Sequence, residues 1–199
     1  MATLALSRGR VFGRGLAIAL LIGLSLAGMA RIAAGAMIPA KAAVAQILLE
    51  RAFDRSIALH RPVKPWPWAD MAPVARISVP RLGIDRIVLD TGSGQAMAFG
   101  PTLLPGGAGM GKAGTMVIAA HRDTHFRFLR EVRKGDAITV EGLDGVTRRY
   151  TVTDADVVRW NRFAIPEDME NRLALVTCYP FDAVRHGPLR YVLHAVQAE

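Results

Sequence analysis

Cysteine is almost missing from this 199-residue chain: Cys178 stands alone. One thiol forms no internal disulfide, which excludes a disulfide-stapled scaffold. In an exported body an unpaired thiol is a liability in an oxidising compartment unless it is used. Acidic residues are scarce in the first third. Residues 1–64 hold two Asp/Glu against nine Lys/Arg, whereas residues 65–199 hold fifteen against sixteen. The body therefore lacks the basic surplus that nucleic-acid binding requires. The surplus flanks an apolar segment instead, as suits a region drawn to anionic lipid. Internal repeats and low-complexity tails are also absent.

Hydrophobic residues, by contrast, make up 51% of the chain and are concentrated at its start. Arg8, Arg10 and Arg14 precede a run from Gly15 to Ala30 that carries no charge; Arg31 interrupts it, and apolar residues continue to Ala40. A hydrocarbon core needs about 20 helical residues, and Arg31 lies near enough to the far end to snorkel. Residues 1–14 thus read as a cytoplasmic basic tail and 15–40 as a single transmembrane anchor. The leading arginines hold the N-terminus in the cytoplasm and place the rest on the periplasmic, outer side of the inner membrane. Ala34-Gly35-Ala36 also fits a signal-peptide cleavage site, and either reading exports the body.

Residues 41–69 read as an amphipathic helix followed by a linker. Val44, Ile47, Leu48, Ala52, Ile57 and Leu59 recur at helical spacing, which suits a helix on the membrane or against the body. Arg61-Pro-Val-Lys-Pro-Trp-Pro-Trp68 ends it, because its prolines lack donors and fix φ. Residues 70–199 have the texture of a β domain. Strands are expected at 74–79, 84–89, 115–120, 136–141, 148–154, 172–178 and 189–196, with Asp144-Gly145 as a turn. Thr115–Ala120 is apolar on both faces and so should be central. Gly92–Gly114 reads as a long functional loop with eight glycines and two prolines. The pattern suits a small barrel or sandwich.

Cys178 ends the run Arg172–Cys178, and Pro180 stops that strand just beyond it. A thiol at a strand mouth is open to substrate, but a nucleophilic thiol needs a neighbouring base or cation. His121 follows the buried strand 115–120 directly and is the favoured base, with His125 its first competitor; His60, His186 and His194 are less well placed. Arg190 opens the last strand. Antiparallel pairing with 172–178 would bring it beside the cysteine as a stabiliser of thiolate and oxyanion, with Arg185 the alternative. His121-Arg-Asp-Thr-His125 lacks the glutamate and third ligand of a zinc site, so no metal and no cofactor are expected.

Ala174-Leu-Val-Thr-Cys178 resembles the Thr-Leu-x-Thr-Cys signature of sortases, departing at its first position. The order His, Cys, Arg fits as well. The set Pro65-Trp-Pro-Trp-Ala-Asp70, Ala98-Phe-Gly-Pro101, His121-Arg-Asp-Thr-His-Phe126, Thr177-Cys-Tyr-Pro-Phe181 and Gly187-Pro-Leu-Arg-Tyr191 looks most like the class GN sortases of Gram-negative bacteria. Ala120 stands where that family usually has glycine. The resemblance covers about residue 62 to the end. It implies a closed eight-stranded β-barrel with short helices and a membrane-anchored cysteine transpeptidase, a thiol protease that anchors proteins at the cell surface. Cys178 would attack an LPxTG-like C-terminal sorting signal of a substrate protein and form a thioester. His121 would move the proton and Arg190 would bind the oxyanion; Thr177, whose side chain falls on the face opposite Cys178, reads as structural, with any substrate binding made through its backbone. An amine of unknown identity would accept the acyl group. The rival readings are a thiol hydrolase on the same fold and an exported binding domain with a buried Cys178.

Overall fold

A computed structural model of the chain describes residues 3–91, 93–165, 171–185 and 187–198, with side chains from residue 18 onward except at 33, 34, 36 and 38–40. The side chains of Arg8, Arg10, Arg14, Ala34 and Ala36, the start of the apolar run, and all of His186 lie outside the described residues. The chain divides into two compact units, Met1–Val44 and Ala45–Glu199. Helix α1 (Thr3–Leu59) begins in the first and ends in the second. Among the described residues no helix is long and apolar enough to cross a membrane.

The second unit is a closed barrel. Its strands are β1 (Pro73–Val79), β2 (Ile84–Leu89), β3 (Thr102–Leu103), β4 (Thr115–Ala119), β5 (Ala137–Gly142), β6 (Thr147–Arg159), β7 (Arg172–Tyr179) and β8 (Leu189–Gln197). Around the ring they run β1-β2-β3-β4-β7-β8-β6-β5, with β1 pairing back onto β5. β2–β3 and β4–β7 are parallel and the other pairs antiparallel. The ring closes between β2 and β3 through a single residue pair, Leu89 with Thr102. Short 3-10 turns sit at Pro80–Leu82, Ala96–Ala98 and Arg127–Glu131.

Alternation decides the core. Ile77 and Val79, Met116 and Ile118, Ile138 and Val140, Leu173 and Leu175, and Leu193 all project into one buried cluster. Each such side chain contributes roughly 1.5–3 kcal/mol by leaving water. The β5–β6 hairpin turns where expected: Gly145 takes φ +71°, and Asp144 accepts the Val146 amide at 3.0 Å.

The structure corrects two sequence expectations. Gly92–Gly114 is not one loop, because it contains β3, whose pairing joins β2 to β4 and completes the ring. Gly100 makes that approach feasible, since a Cβ there would lie 2.7 Å from the Ile87 carbonyl oxygen. The buried face of α1 also differs. Val44, Ile47 and Leu59 are exposed, while Ala45, Leu49, Ala52, Phe53 and Ser56 are buried. Leu49 and Phe53 pack with Met71, Ile87, Leu89 and Ala96, so this end of the helix lies against the barrel. Ser56 fastens the helix end by accepting the Val63 amide at 2.9 Å. Of the two linker tryptophans, Trp66 meets Phe99 edge-on at 5.5 Å, and Trp68 is 83% exposed.

Candidate active site

The strand ends that carry the candidate residues are brought together by register. β7 pairs with β8 so that Cys178 lies directly opposite Arg190. Such antiparallel partners have Cα atoms about 4.5–5.5 Å apart. On its other side β7 runs parallel to β4, with Ala119 opposite Val176. The pairing continues one step past the strand, as the Ala120 amide donates to the Val176 carbonyl at 3.2 Å. His121 comes next, beside the Cys178 end of β7. Cys178, His121 and Arg190 therefore share one rim of three adjacent strands.

They also share a side of the sheet. Met116, Ile118 and Ala120 on β4 and beyond, Leu173 and Leu175 on β7, and Leu193 on β8 fill the barrel. Val117 and Ala119, Ala174 and Val176, and Val192 belong to a second cluster on the outer face, with Leu104, Val158, Phe163 and Ile165 packed against it. Side chains alternate along a strand, so Cys178 follows Val176, and Arg190 precedes Val192, on that outer face. The same alternation carried past the end of β4 sends His121 there. The result is an apolar floor walled by Phe163 and Ile165, with a thiol, an imidazole and a guanidinium at one end.

Individual environments suit separate roles. Cys178 is a free thiol, half-buried, and His121 is exposed. Arg190 Nη1 donates to the Gly187 and Leu189 carbonyls at 3.0 and 2.9 Å. That fixes the guanidinium while Nε and Nη2 make no hydrogen bond among the described residues. Thr177 is 2% exposed and donates its hydroxyl to the Ala120 carbonyl at 2.7 Å. Its side chain thus ties the residue before His121 to the strand carrying Cys178. The methyl of Ala120 joins the interior cluster.

His125 is engaged elsewhere. Its Nε2–H donates to the Ala98 carbonyl at 3.4 Å. Burial holds its pKa below the ordinary histidine value; the Ala98 hydrogen bond opposes this, and the charges of Arg86 and His121 add to it. Arg185 is exposed in the β7–β8 loop. Among the described residues no three His, Cys, Asp or Glu gather to hold a metal ion.

Sequence reasoning missed Arg122. It is 4% exposed and donates to the carbonyls of Pro180 at 2.8 Å, Ala183 and Arg185 at 3.3 Å. Those acceptors lie some sixty residues along the chain, so no local pattern announces them. The wall formed by Phe163 and Ile165 was missed for the same reason.

Residues 77–198, more than half of the chain, match the Sortase domain family. Sortase D of Bacillus subtilis (strain 168) is 32% identical over 83 residues, 41% of this chain and 41% of that protein. The matched segment thus spans about two fifths of the curated relative. Among solved structures, a Clostridium perfringens Sortase D5 transpeptidase superposes with TM-score 0.63 at 18% identity, covering 79% of this chain and 99% of that one. Sortase A from Corynebacterium diphtheriae gives TM-score 0.59 at 21% identity, covering 79% and 85%. At those identities the likeness establishes the shared fold.

Proposed function

The chain belongs to the sortase family, and on that premise we propose that it is a cysteine transpeptidase acting through Cys178, His121 and Arg190. The observation that carries this reading is the direct pairing of Cys178 with Arg190, with His121 just past the end of the neighbouring strand β4.

The chemistry follows from placement. The Cys178 thiol gives its proton to His121, and the sulfur attacks a peptide carbonyl, forming a C–S bond and a tetrahedral oxyanion. Nε–H and Nη2–H of Arg190 are available to that oxygen, and such donors are worth about 10²–10³ in rate. His121 gives its proton to the departing amine as the C–N bond breaks, leaving a thioester and the released C-terminal fragment. The neutral imidazole then takes a proton from an incoming amine as that amine displaces the sulfur. The half-buried apolar floor between Leu104 and Ile165 offers a surface on which the apolar side chains of a peptide can rest beside Cys178.

The substrate in this reading is a protein with an LPxTG-like C-terminal sorting signal, and the acceptor is an amine. The residue set from Pro65 to Tyr191 supports placement with the class GN sortases. A retained N-terminal anchor in the inner membrane, with the barrel on the periplasmic side, completes the proposal. It rests on the uncharged run Gly15–Ala30 and on exposed apolar side chains such as Leu24 and Ile32, at 71% and 74%. Such surface is unfavourable in water and favourable in a bilayer.

The test is cleavage of a panel of sorting-signal peptides by the full chain in detergent micelles, with and without added amines. Cleavage with amine-dependent ligated product supports the proposal. Cleavage to free acid alone, whatever the amine, would make the protein a hydrolase.

A further inference from the structure

Arg122 is a cation withdrawn from water beside an exposed active-site histidine. Among the described residues its one carboxylate contact, Nε to Asp123 Oδ1 at 3.3 Å, is to a side chain 68% exposed. Desolvating a charged group costs several kcal/mol unless hydrogen bonds compensate. The compensation comes from three backbone carbonyls, those of Pro180, Ala183 and Arg185. All three lie in the β7–β8 loop, which leaves the site at Cys178 and returns to it at Arg190. One planar fork thus joins the residue after His121 to the loop whose two ends carry the other reactive groups. Only a guanidinium spans three carbonyls in this way, because an ammonium presents its donors from a single point.

We propose that Arg122 is a positioning residue that locks the β7–β8 loop against the His121 segment, fixing His121 relative to Cys178 and Arg190. This inference rests on the transpeptidase reading. Arg122 reaches no substrate; it acts through the backbone it holds. A second, weaker tie at the same loop is Arg130, 3.5 Å from Asp182 and lying over the Phe181 ring. The loop is therefore shaped before substrate arrives.

The experiment compares the full chain with Arg122→Lys and Arg122→Gln, measuring amide hydrogen exchange and the kcat and KM of peptide cleavage. Exchange across Phe181–Arg185 should quicken at least about tenfold while that of β4 and β7 stays as it was. With the reactive groups misplaced, kcat should fall about tenfold to a hundredfold and KM change by less than about threefold. Lysine, keeping the charge but not the fork, should rescue only a small part. If loop exchange rises and kcat stays at the wild-type value, Arg122 is a structural fastener and the inference fails. Unchanged loop exchange overturns it equally. Should Arg122→Gln open the whole barrel, seen as faster exchange in β4 and β7, the lysine variant decides by the same criteria. Wild-type protein that cleaves no peptide would instead overturn the transpeptidase reading.

Discussion

The two faces of β4, β7 and β8 are built from the same strands and end at the rim in different residues. On the inner face Met116 and Ile118, Leu173 and Leu175, and Leu193 continue one apolar layer into the barrel, closed at the rim by Thr177 and Ala120. On the outer face Val117 and Ala119, Ala174 and Val176, and Val192 begin in the same way. Each row then ends in one of the proposed reactive groups: His121, Cys178 and Arg190. The period of two keeps the sets apart, so the proposed chemistry belongs to the rim of the outer face, while the inner set fills the barrel. A change on one face should therefore appear in stability and a change on the other in rate.

The sharpest separation is expected at Cys178. Cys178→Ala should abolish cleavage and leave the thermal midpoint within a few degrees of wild type, as measured by calorimetry and peptide turnover. His121→Ala should lower kcat about 10²–10⁴-fold, the range for losing a general acid–base. His125→Ala should cost far less, and the reverse order would reassign the base. Arg190→Ala should reduce kcat/KM about 10²–10³-fold. Crossing to the inner face, Leu175→Ala should cost about 2–5 kcal/mol in denaturant unfolding, with the kcat of the folded fraction preserved. Thr177→Val belongs between the faces. Removing the donor to the Ala120 carbonyl should destabilise by about 1–3 kcal/mol and slow turnover modestly.

The smallest effect is a pH dependence. Burial lowers the His125 pKa in the folded protein from the model-peptide value of 6.5, so below about 6.5 the unfolded chain takes up a proton that the folded chain resists. The stability contributed by neutral His125 is present above that pH and declines toward acid. His125→Gln should accordingly shrink the loss of thermal midpoint on going from neutral to mildly acidic buffer.

Much of this arrangement is legible in the sequence. Seven strands announce themselves through alternation or through apolar runs, and the strand-end positions of Cys178, His121 and Arg190 follow from Pro180 and the run Thr115–Ala120. What was illegible depends on long-range contact. β3 has two residues behind Pro101, too few to show any period. β6 extends to Arg159 through Asp154 and Asp156 because its far half pairs with β8 beyond a register shift between Val152 and Asp154. The α1 face was misjudged because the helix is apolar on several sides, and the barrel selected the one bearing Phe53. Arg122 reads as a solvent-facing charge until the β7–β8 loop folds over it.

In the proposed reaction Cys178, at the rim of the outer face, takes the acyl group. The most direct measurement is the mass of the full chain after brief mixing with an intact sorting peptide that it cleaves and no added amine. An added acyl fragment is expected on the peptide containing Cys178, released by hydroxylamine and absent in Cys178→Ala. Cleavage that proceeds without that adduct, or that survives in Cys178→Ala, would contradict it.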